Sequence, residues 1–225
     1  MATTAQLDAW AQAVVDASPV LDADDRRITI ATYRLLAEGD PVSEAQIANE
    51  TGLTTERVEE SLRAWPLVLR DEDKRVIGFW GMHSRYIKPT HSMTHNGTTS
   101  YGWCAIDTLF IPEIIDREVQ VESTDPTRDA RVRLTVTPDG ITDLDPPDAV
   151  VSFLLPDNGD RFADDSIARF CHQIYFFESP RSAETWIADR PGRFFLSVQE
   201  AFEMGKTINR LRLGAINESV ADGTS

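Results

Sequence analysis

The chain has 225 residues, of which 41% are hydrophobic and 26% are charged, as is typical of soluble globular proteins. Its formal net charge of −15 repels phosphate backbones and anionic lipid surfaces, so nucleic acid and membranes are poor partners. No apolar stretch approaches the roughly 20 residues that span a bilayer. The N-terminus lacks the basic start and apolar block of an export signal, and we therefore expect a cytoplasmic protein with two free thiols.

The first part of the chain predicts a series of short helices. Apolar residues at helical spacing indicate a helix over residues 25–37. Ser43 and Gln46 form the pattern of a capping box at the start of another helix. Gly52 interrupts that helix and Thr54 opens the next one, which predicts a helix-turn-helix arrangement.

Two short apolar segments, 67–70 and 76–80, flank a polar stretch and predict a hairpin or wing. Residues 1–80 are therefore interpreted as a winged-helix-like domain. A helix that reads DNA needs basic side chains, whereas the second helix of this pair carries Arg57 and Arg63 among three glutamates. We interpret the module as a structural scaffold.

Residues 81–225 predict a second domain of mixed elements. Residues 81–100 are rich in Gly, Ser, Thr, Pro and His and indicate a linker. A short helix is predicted over 104–110, ended by Pro112. Strands are predicted where apolar residues alternate or cluster between turn residues, at 118–122, 131–137, 149–154 and 174–177.

Two helices are predicted to close the chain, the last of them beginning at a capping box formed by Ser197 and Glu200. The polar tail, 217–225, is expected to be loose. We therefore predict an α+β fold, in which a winged-helix-like helical module precedes a mixed α/β catalytic domain with a mostly antiparallel sheet.

The histidines form a weak candidate site. His91 and His95 are four residues apart, a spacing that places two metal ligands on one helical face. Turn residues on both sides predict a loop instead, and no Cys or carboxylate lies beside them to complete a zinc site.

The two cysteines are the stronger candidates. Cys104 precedes Asp107 by three residues, so on a helix the thiol and the carboxylate would share one face. At the first turn of a helix, exposed amides would also lower the pKa of the thiol. Cys171 opens an apolar run and could equally be a buried residue that serves packing.

Several blocks of the sequence resemble the organomercurial lyase (alkylmercury lyase) family. They keep their order over most of residues 85–213 and comprise Tyr-Gly-Trp-Cys-Ala-Ile-Asp-Thr-Leu-Phe-Ile-Pro at 101–112 and the segments 132–138, 149–153, 170–171, 176–177 and 196–202. The resemblance implies the winged-helix module, mercury binding by Cys104 and Cys171, and proton handling by Asp107. Many members carry a further, structural cysteine where this chain reads Glu-Ser-Thr-Asp-Pro at 122–126, and some have a second cysteine where His172 stands here.

The implied chemistry is protonolysis of a carbon–mercury bond. Hg(II) is a soft ion that prefers thiolate ligands, so Cys104 and Cys171 would hold the product, with Asp107 as the third residue of the predicted metal site. Asp107 would accept a thiol proton and return it to carbon, and burial would raise its pKa. Trp103 and Tyr101 are predicted to wall the substrate pocket. No cofactor is expected, and small thiols or mercuric reductase would remove the ion.

Two other functions are compatible with the sequence. One is a winged-helix transcriptional regulator whose cysteines sense thiol-reactive agents or metal, against which the acidic second helix argues. The other is a protein that binds mercury without catalysis. Asp107 favours the lyase, because sequestration of the ion requires no proton carrier.

Overall fold

The computed structural model describes residues 1–86, 88, 91–157 and 159–216. The tail that was predicted to be loose, 217–225, lies outside the described residues. Within these ranges, every helix is too short or too polar to cross a bilayer.

The N-terminal part contains four helices: α1 (Thr4–Ala17), α2 (Ala23–Leu36), α3 (Glu44–Thr51) and α4 (Thr55–Ala64). The predicted capping box is present, because the Ser43 hydroxyl accepts the Gln46 amide while the Gln46 side chain accepts the Ser43 amide. Gly52 ends α3 with a left-handed φ of 68°, and Thr54 caps α4. The predicted helix-turn-helix is therefore confirmed.

The predicted wing is also confirmed, as the antiparallel strands β1 (Val68–Arg70) and β2 (Val76–Phe79). The predicted linker over 81–100 is wrong. It contains the strands β3 (Met82–His83), β4 (His91–His95) and most of β5 (Thr98–Gly102).

The turn between β4 and β5 explains this difference. Asn96 and Gly97 adopt positive φ values of 46° and 82°, and an Asn-Gly pair of this kind is a strong signal for a two-residue hairpin. The hydroxyls of Thr94 and Thr99 are 3.0 Å apart across the hairpin. A composition typical of loops therefore concealed a pair of strands.

An antiparallel sheet of eight strands crosses the predicted domain boundary. It is completed by β6 (Val119–Thr124), β7 (Arg131–Val136) and β8 (Ile141–Asp145), in the order β1-β2-β3-β5-β4-β6-β7-β8. Because β2 pairs with β3 and β3 pairs with β5, the wing is continuous with the strands that follow it.

A second antiparallel sheet has three strands in the order β10-β9-β11: β9 (Val150–Leu154), β10 (Phe176–Phe177) and β11 (Arg193–Ser197). Strand β10 is shorter than predicted, and β11 was not predicted. A short helix, α6 (Ser166–Arg169), precedes β10, and the two closing helices are α7 (Pro180–Ile187) and α8 (Val198–Leu213). The capping box of Ser197 and Glu200 at the start of α8 is confirmed.

The helix predicted over 104–110 is displaced along the chain. Helix α5 (Asp107–Ile115) begins three residues later and continues through Pro112, which therefore does not end it. Eight of its nine residues are buried, and it packs against α2, α8 and the large sheet. A proline inside a helix costs about 3 kcal/mol, because it cannot donate a backbone hydrogen bond. The burial of this apolar helix outweighs that cost.

Candidate active site

A tight turn, and not a shared helical face, brings Cys104 and Asp107 together. Cys104 lies in the turn before α5, and Asp107 is the first residue of that helix. The Asp107 amide donates to the Cys104 carbonyl at 3.2 Å, and the Cys104 amide donates to Asp107 Oδ2 at 2.7 Å. The Cys104 thiol and the Asp107 carboxyl are close enough to shift each other's pKa.

Cys171 reaches the same place from a distant part of the chain. It begins a short 3-10 turn, Cys171–Gln173, and it lines the same cavity as Cys104, whose pKa it raises. A backbone hydrogen bond of 3.1 Å from the Ala105 amide to the Ile174 carbonyl joins the two segments. Both cysteines are free thiols, and both are buried. The structure thus brings together all three predicted reactive residues.

Two glycines make room for Asp107. A methyl group at Gly81, where φ is 103°, would lie 2.3 Å from Asp107 Oδ1. One at Gly102 would lie 2.9 Å from the side chain of Thr108 and 3.5 Å from that of Asp107. The Gly81 carbonyl also accepts the Trp103 amide at 2.8 Å, which fixes the turn against the site. Gly81 follows Trp80 and Gly102 follows Tyr101, but no spacing rule in the sequence marked either glycine as part of the site.

The three reactive residues line a cavity of about 80 Å³. Most of its wall is apolar, with large contributions from Leu67, Trp80, Trp103, Phe110, Phe153 and Phe170. Residues on both sides of position 80 contribute, so the cavity lies across the predicted boundary between the domains.

The predicted wall residues differ in their positions. Trp103 lines the cavity and is buried. Tyr101 is not among the described residues that line it. Its ring packs edge-on against Tyr86, with 5.7 Å between the ring centroids. Alternation along β5 accounts for this, because Tyr101 and Gly102 point to opposite faces of the sheet.

Asp107 carries a shifted pKa without a cationic partner. Burial raises the pKa of its carboxyl to about 7, while the hydrogen bond from the Cys104 amide and the nearby Cys104 thiol and Trp103 amide lower it. The predicted increase is confirmed. A carboxyl with this pKa can both accept and donate a proton near neutral pH.

The predicted lowering of the Cys104 pKa is wrong. Burial raises the pKa of this thiol well above its ordinary value, and the nearby thiol of Cys171 and the carboxyl of Asp107 add to the increase. The helix begins only at Asp107, so Cys104 lies outside the first turn, and its own amide is already bonded to the carboxylate. The thiol is therefore protonated at neutral pH and needs a nearby base.

Among the described residues, no group of three or more His, Cys, Asp and Glu side chains has the geometry of a metal site. The cavity contains two sulfur ligands for a soft ion, those of Cys104 and Cys171. Two thiolates in a nearly linear arrangement suit a soft ion, whereas a structural zinc site requires four ligands.

The weak histidine candidate has a structural position. His91 lies on β4, not in a loop, and its Nδ1 is 2.8 Å from the hydroxyl of Ser123. Burial lowers the pKa of His91 to about 3, so it is neutral. His95 lies further along the strand and its Nδ1 is 2.9 Å from the carbonyl of Glu118.

The arginines of α4 are engaged within the chain. Arg57 Nη2 lies 2.9 Å from carboxylate oxygens of both Asp22 and Asp25. Arg63 forms an ion pair with Glu59 one turn earlier on the same helix. These contacts support the interpretation of the helix-turn-helix as scaffold, because its basic side chains bind acids of the same chain.

One cavity residue carries no sequence signal. Arg212, on α8, lines the cavity, with its guanidinium carbon 4.4 Å from the ring centroid of Trp80. An arginine in the last turn of a helix is ordinary, because it interacts favourably with the helix dipole. Only the tertiary structure reveals that it lines the same cavity as the thiols.

Comparisons with known proteins agree with this geometry. A family model described as alkylmercury lyase matches residues 88–210, and one described as the helix-turn-helix domain of alkylmercury lyase matches residues 6–80. An alkylmercury lyase of Bacillus cereus is 38% identical over 77% of this chain and 76% of that protein. One of Streptomyces lividans is 37% identical over 80% of each chain.

A solved structure supports the fold. The crystal structure of the mercury-bound form of MerB2 has a TM-score of 0.69 to this chain and 20% sequence identity, and the match covers 92% of this chain and 98% of that one. At this level of identity the likeness shows a shared fold. Together with the family models and the curated relatives, it establishes that this chain belongs to the alkylmercury lyase family.

Proposed function

We propose that this protein is an organomercurial lyase, which cleaves carbon–mercury bonds by protonolysis and yields a hydrocarbon and Hg(II). The observation that carries the proposal is the convergence of two buried thiols on a carboxyl whose pKa is about 7, inside one apolar cavity. Membership of the alkylmercury lyase family supports the same reaction.

The first step is capture of the substrate, R–Hg–X, where X is a displaceable anion. The Cys104 thiol transfers its proton to the carboxylate of Asp107 as its sulfur forms a bond to mercury, and X leaves as the anion. The proximity of the Cys104 thiol to the Asp107 carboxyl, which shift each other's pKa, supports this assignment. The raised pKa of the thiol makes such a base necessary.

The second step breaks the carbon–mercury bond. The Cys171 sulfur binds mercury and loses its proton to solvent, which balances the displaced anion. The electron pair of the carbon–mercury bond stays with carbon, which takes the proton from Asp107 and leaves as R–H. Mercury remains Hg(II) throughout, held by two thiolates, and Asp107 returns to its starting state.

The reaction needs no cofactor, because every proton and ligand comes from the chain or the substrate. Small thiols or mercuric reductase would then take Hg(II) from the two cysteines by ligand exchange. Two free, adjacent thiols require a reducing environment, which favours the cytoplasm as the location.

The direct test is incubation with phenylmercury and excess thiol, with benzene measured by gas chromatography. Cys104→Ser and Cys171→Ser are each expected to abolish turnover, because a hydroxyl is a poor ligand for a soft ion. Asp107→Asn keeps the shape of the side chain but cannot carry a proton, so we expect a rate at least about 100-fold lower.

A matched control is Asp116→Asn at the other end of α5. Asp116 is exposed, with a left-handed φ of 54° that asparagine also tolerates, so this variant should retain full activity. Full turnover by either serine variant would exclude the mechanism with two thiolates. Stoichiometric mercury binding by the wild type without benzene release would instead identify a binding protein.

A further inference from the structure

Arg212, which lines the cavity, has one guanidinium nitrogen that lacks a hydrogen-bond partner among the described residues. Arg212 Nε is buried and has no hydrogen-bond partner within the described part of the chain. Burial lowers the pKa of Arg212, and the neighbouring phenol of Tyr33 opposes this as a smaller effect. A buried N–H of a cation that lacks an acceptor is costly, and an anion bound beside it would offset that cost.

The guanidinium is also held in place. It stacks at 4.4 Å over the ring of Trp80, whose Nε1 donates to the Pro66 carbonyl at 2.8 Å. The hydroxyl of Tyr33 donates to the Trp80 carbonyl at 2.6 Å. Stacking covers the face of the guanidinium and leaves its edge, which carries the N–H donors, for a planar acceptor.

A second donor of the same cavity lacks a partner. Trp103 Nε1 is buried without a hydrogen bond in the described part of the chain, and Trp103 lines the cavity together with Arg212. Both unsatisfied atoms are donors, and the wall around them is largely apolar. A ligand that matches this cavity therefore combines an apolar body with a hydrogen-bond acceptor.

Arg212 also faces the surface. Arg212 and Pro19 line both the cavity and an adjacent surface cleft, and we call this shared wall the mouth. The cleft further contains Arg26 and Arg161, with Asp16 as its acidic member. A cluster of three arginines is notable in a chain whose net charge is −15.

We propose that Arg212 forms a carboxylate-binding subsite at the mouth of the cavity that contains Cys104 and Cys171. This inference rests on the proposed function and defines which small molecules the site prefers. The carboxylate comes from one of two sources: the organic part of the organomercurial, or the thiol that removes Hg(II). In either case the carboxylate binds the guanidinium edge while the mercury or sulfur atom reaches the two cysteines.

The first arm of the test compares two substrates, phenylmercury and 4-carboxyphenylmercury, with a neutral thiol as mercury acceptor. The readout is the ratio of kcat/KM for the acidic substrate to that for the neutral one. If the substrate supplies the carboxylate, Arg212→Met lowers this ratio about 10- to 100-fold, the usual effect of removing a hydrogen-bonded charge. Arg212→Lys, which keeps the charge but not the planar edge, gives a smaller decrease.

The second arm compares two acceptors, mercaptoacetate and 2-mercaptoethanol, for release of Hg(II) from protein loaded with the ion. If the thiol supplies the carboxylate, Arg212→Met slows release by mercaptoacetate relative to release by 2-mercaptoethanol, again by about 10- to 100-fold. The matched control for both arms is Arg210→Met, since Arg210 is exposed on the same helix and does not line the cavity. It should leave both ratios unchanged.

A third measurement uses neither mercury nor turnover. Benzoate is titrated into the protein and followed by tryptophan fluorescence, because Trp80 stacks on Arg212. Arg212→Met should weaken benzoate binding about 10- to 100-fold. If the wild type cleaves neither organomercurial, the proposed function fails, and this titration still decides the subsite. Unchanged ratios in both arms, or benzoate binding that is insensitive to Arg212, would overturn the proposal.

Discussion

At the scale of single residues, the site depends on a carboxyl that is protonated half of the time near neutral pH. Burial raises the pKa of Asp107 more strongly than the neighbouring donor groups of Cys104 and Trp103 lower it. No cation of the described part is paired with it. The site therefore uses removal from water, and not a neighbouring charge, to obtain a group that exchanges protons near pH 7.

This leads to a prediction about pH. The capture step requires the carboxylate form of Asp107, so kcat/KM for phenylmercury should fall as the pH decreases through about 7. The carboxyl and the thiols interact, so the apparent pKa belongs to the group as a whole. Benzene release measured between about pH 5.5 and 8.5 checks this. In Asp107→Asn the residual activity should lack this acidic limb, and a wild-type profile that is flat through pH 7 would contradict the assignment.

The sequence predicts part of this residue-scale arrangement. Any tight turn brings residues three apart into contact, so the pairing of Cys104 with Asp107 follows from spacing even though the expected helix begins later. The direction of the Cys104 pKa does not follow, because its burial depends on the distant segment at Ile174. The surroundings of Arg212 are equally hard to predict, since the cavity residues outside α8 come from six separate stretches of the chain.

At the scale of secondary-structure elements, the turn between β2 and β3 acts as a support for α5. Gly81 presents a bare backbone to the carboxyl of Asp107, and its carbonyl holds the amide of Trp103. The wing therefore contributes directly to the placement of the proton carrier.

Gly81→Ala tests this contribution. The added methyl would lie 2.3 Å from Asp107 Oδ1, so the carboxyl must move. We expect a decrease in kcat of about 10- to 100-fold, as displacement of a reacting group by about 1 Å commonly produces. Benzene release from phenylmercury, together with the thermal midpoint of unfolding, separates loss of activity from loss of structure.

Gly97→Ala is the matched control, because Gly97 also has a positive φ, of 82°, but has open space where the methyl would lie. Both variants should lose about 1 kcal/mol of stability from the strained backbone. Only Gly81→Ala should lose activity as well. Equal activities of the two variants would show that the contact with Asp107 is unimportant.

Elements with local signals were predicted well. The capping boxes at Ser43 and Ser197 correctly placed the starts of α3 and α8, since their hydrogen bonds form within four residues. The hairpin at 91–102 was missed because Ser, Thr and His outnumber apolar residues there. Its Asn96-Gly97 turn was the correct signal, and it outweighs composition.

At the scale of the whole molecule, the division at residue 80 does not separate two cores. Strands of the wing and of the following part share one sheet, α1 packs against α8, and the cavity draws on both. A boundary inferred from a change in composition cannot reveal such pairing, which depends on contacts between distant segments.

We therefore expect one cooperative unfolding transition. Far-ultraviolet circular dichroism and tryptophan fluorescence should report the same midpoint in urea. Val58→Ala, a truncation at a fully buried position of α4, should lower the stability of the entire chain by about 2 kcal/mol. Glu60→Ala, at an exposed position of the same helix, should have little effect. Two separate transitions, or a Val58→Ala effect confined to one probe, would contradict a single unit.

The pair of buried sulfurs also determines which ions the cavity rejects. A dication bound by two thiolates forms an electrically neutral adduct, which an apolar interior tolerates without a counterion. A structural zinc site has four ligands, and the described residues provide no third ligand in suitable geometry beside the two cysteines. Harder ions such as magnesium prefer oxygen and retain their water. We therefore expect the cavity to bind zinc and magnesium weakly, which metal titration followed by tryptophan fluorescence can measure.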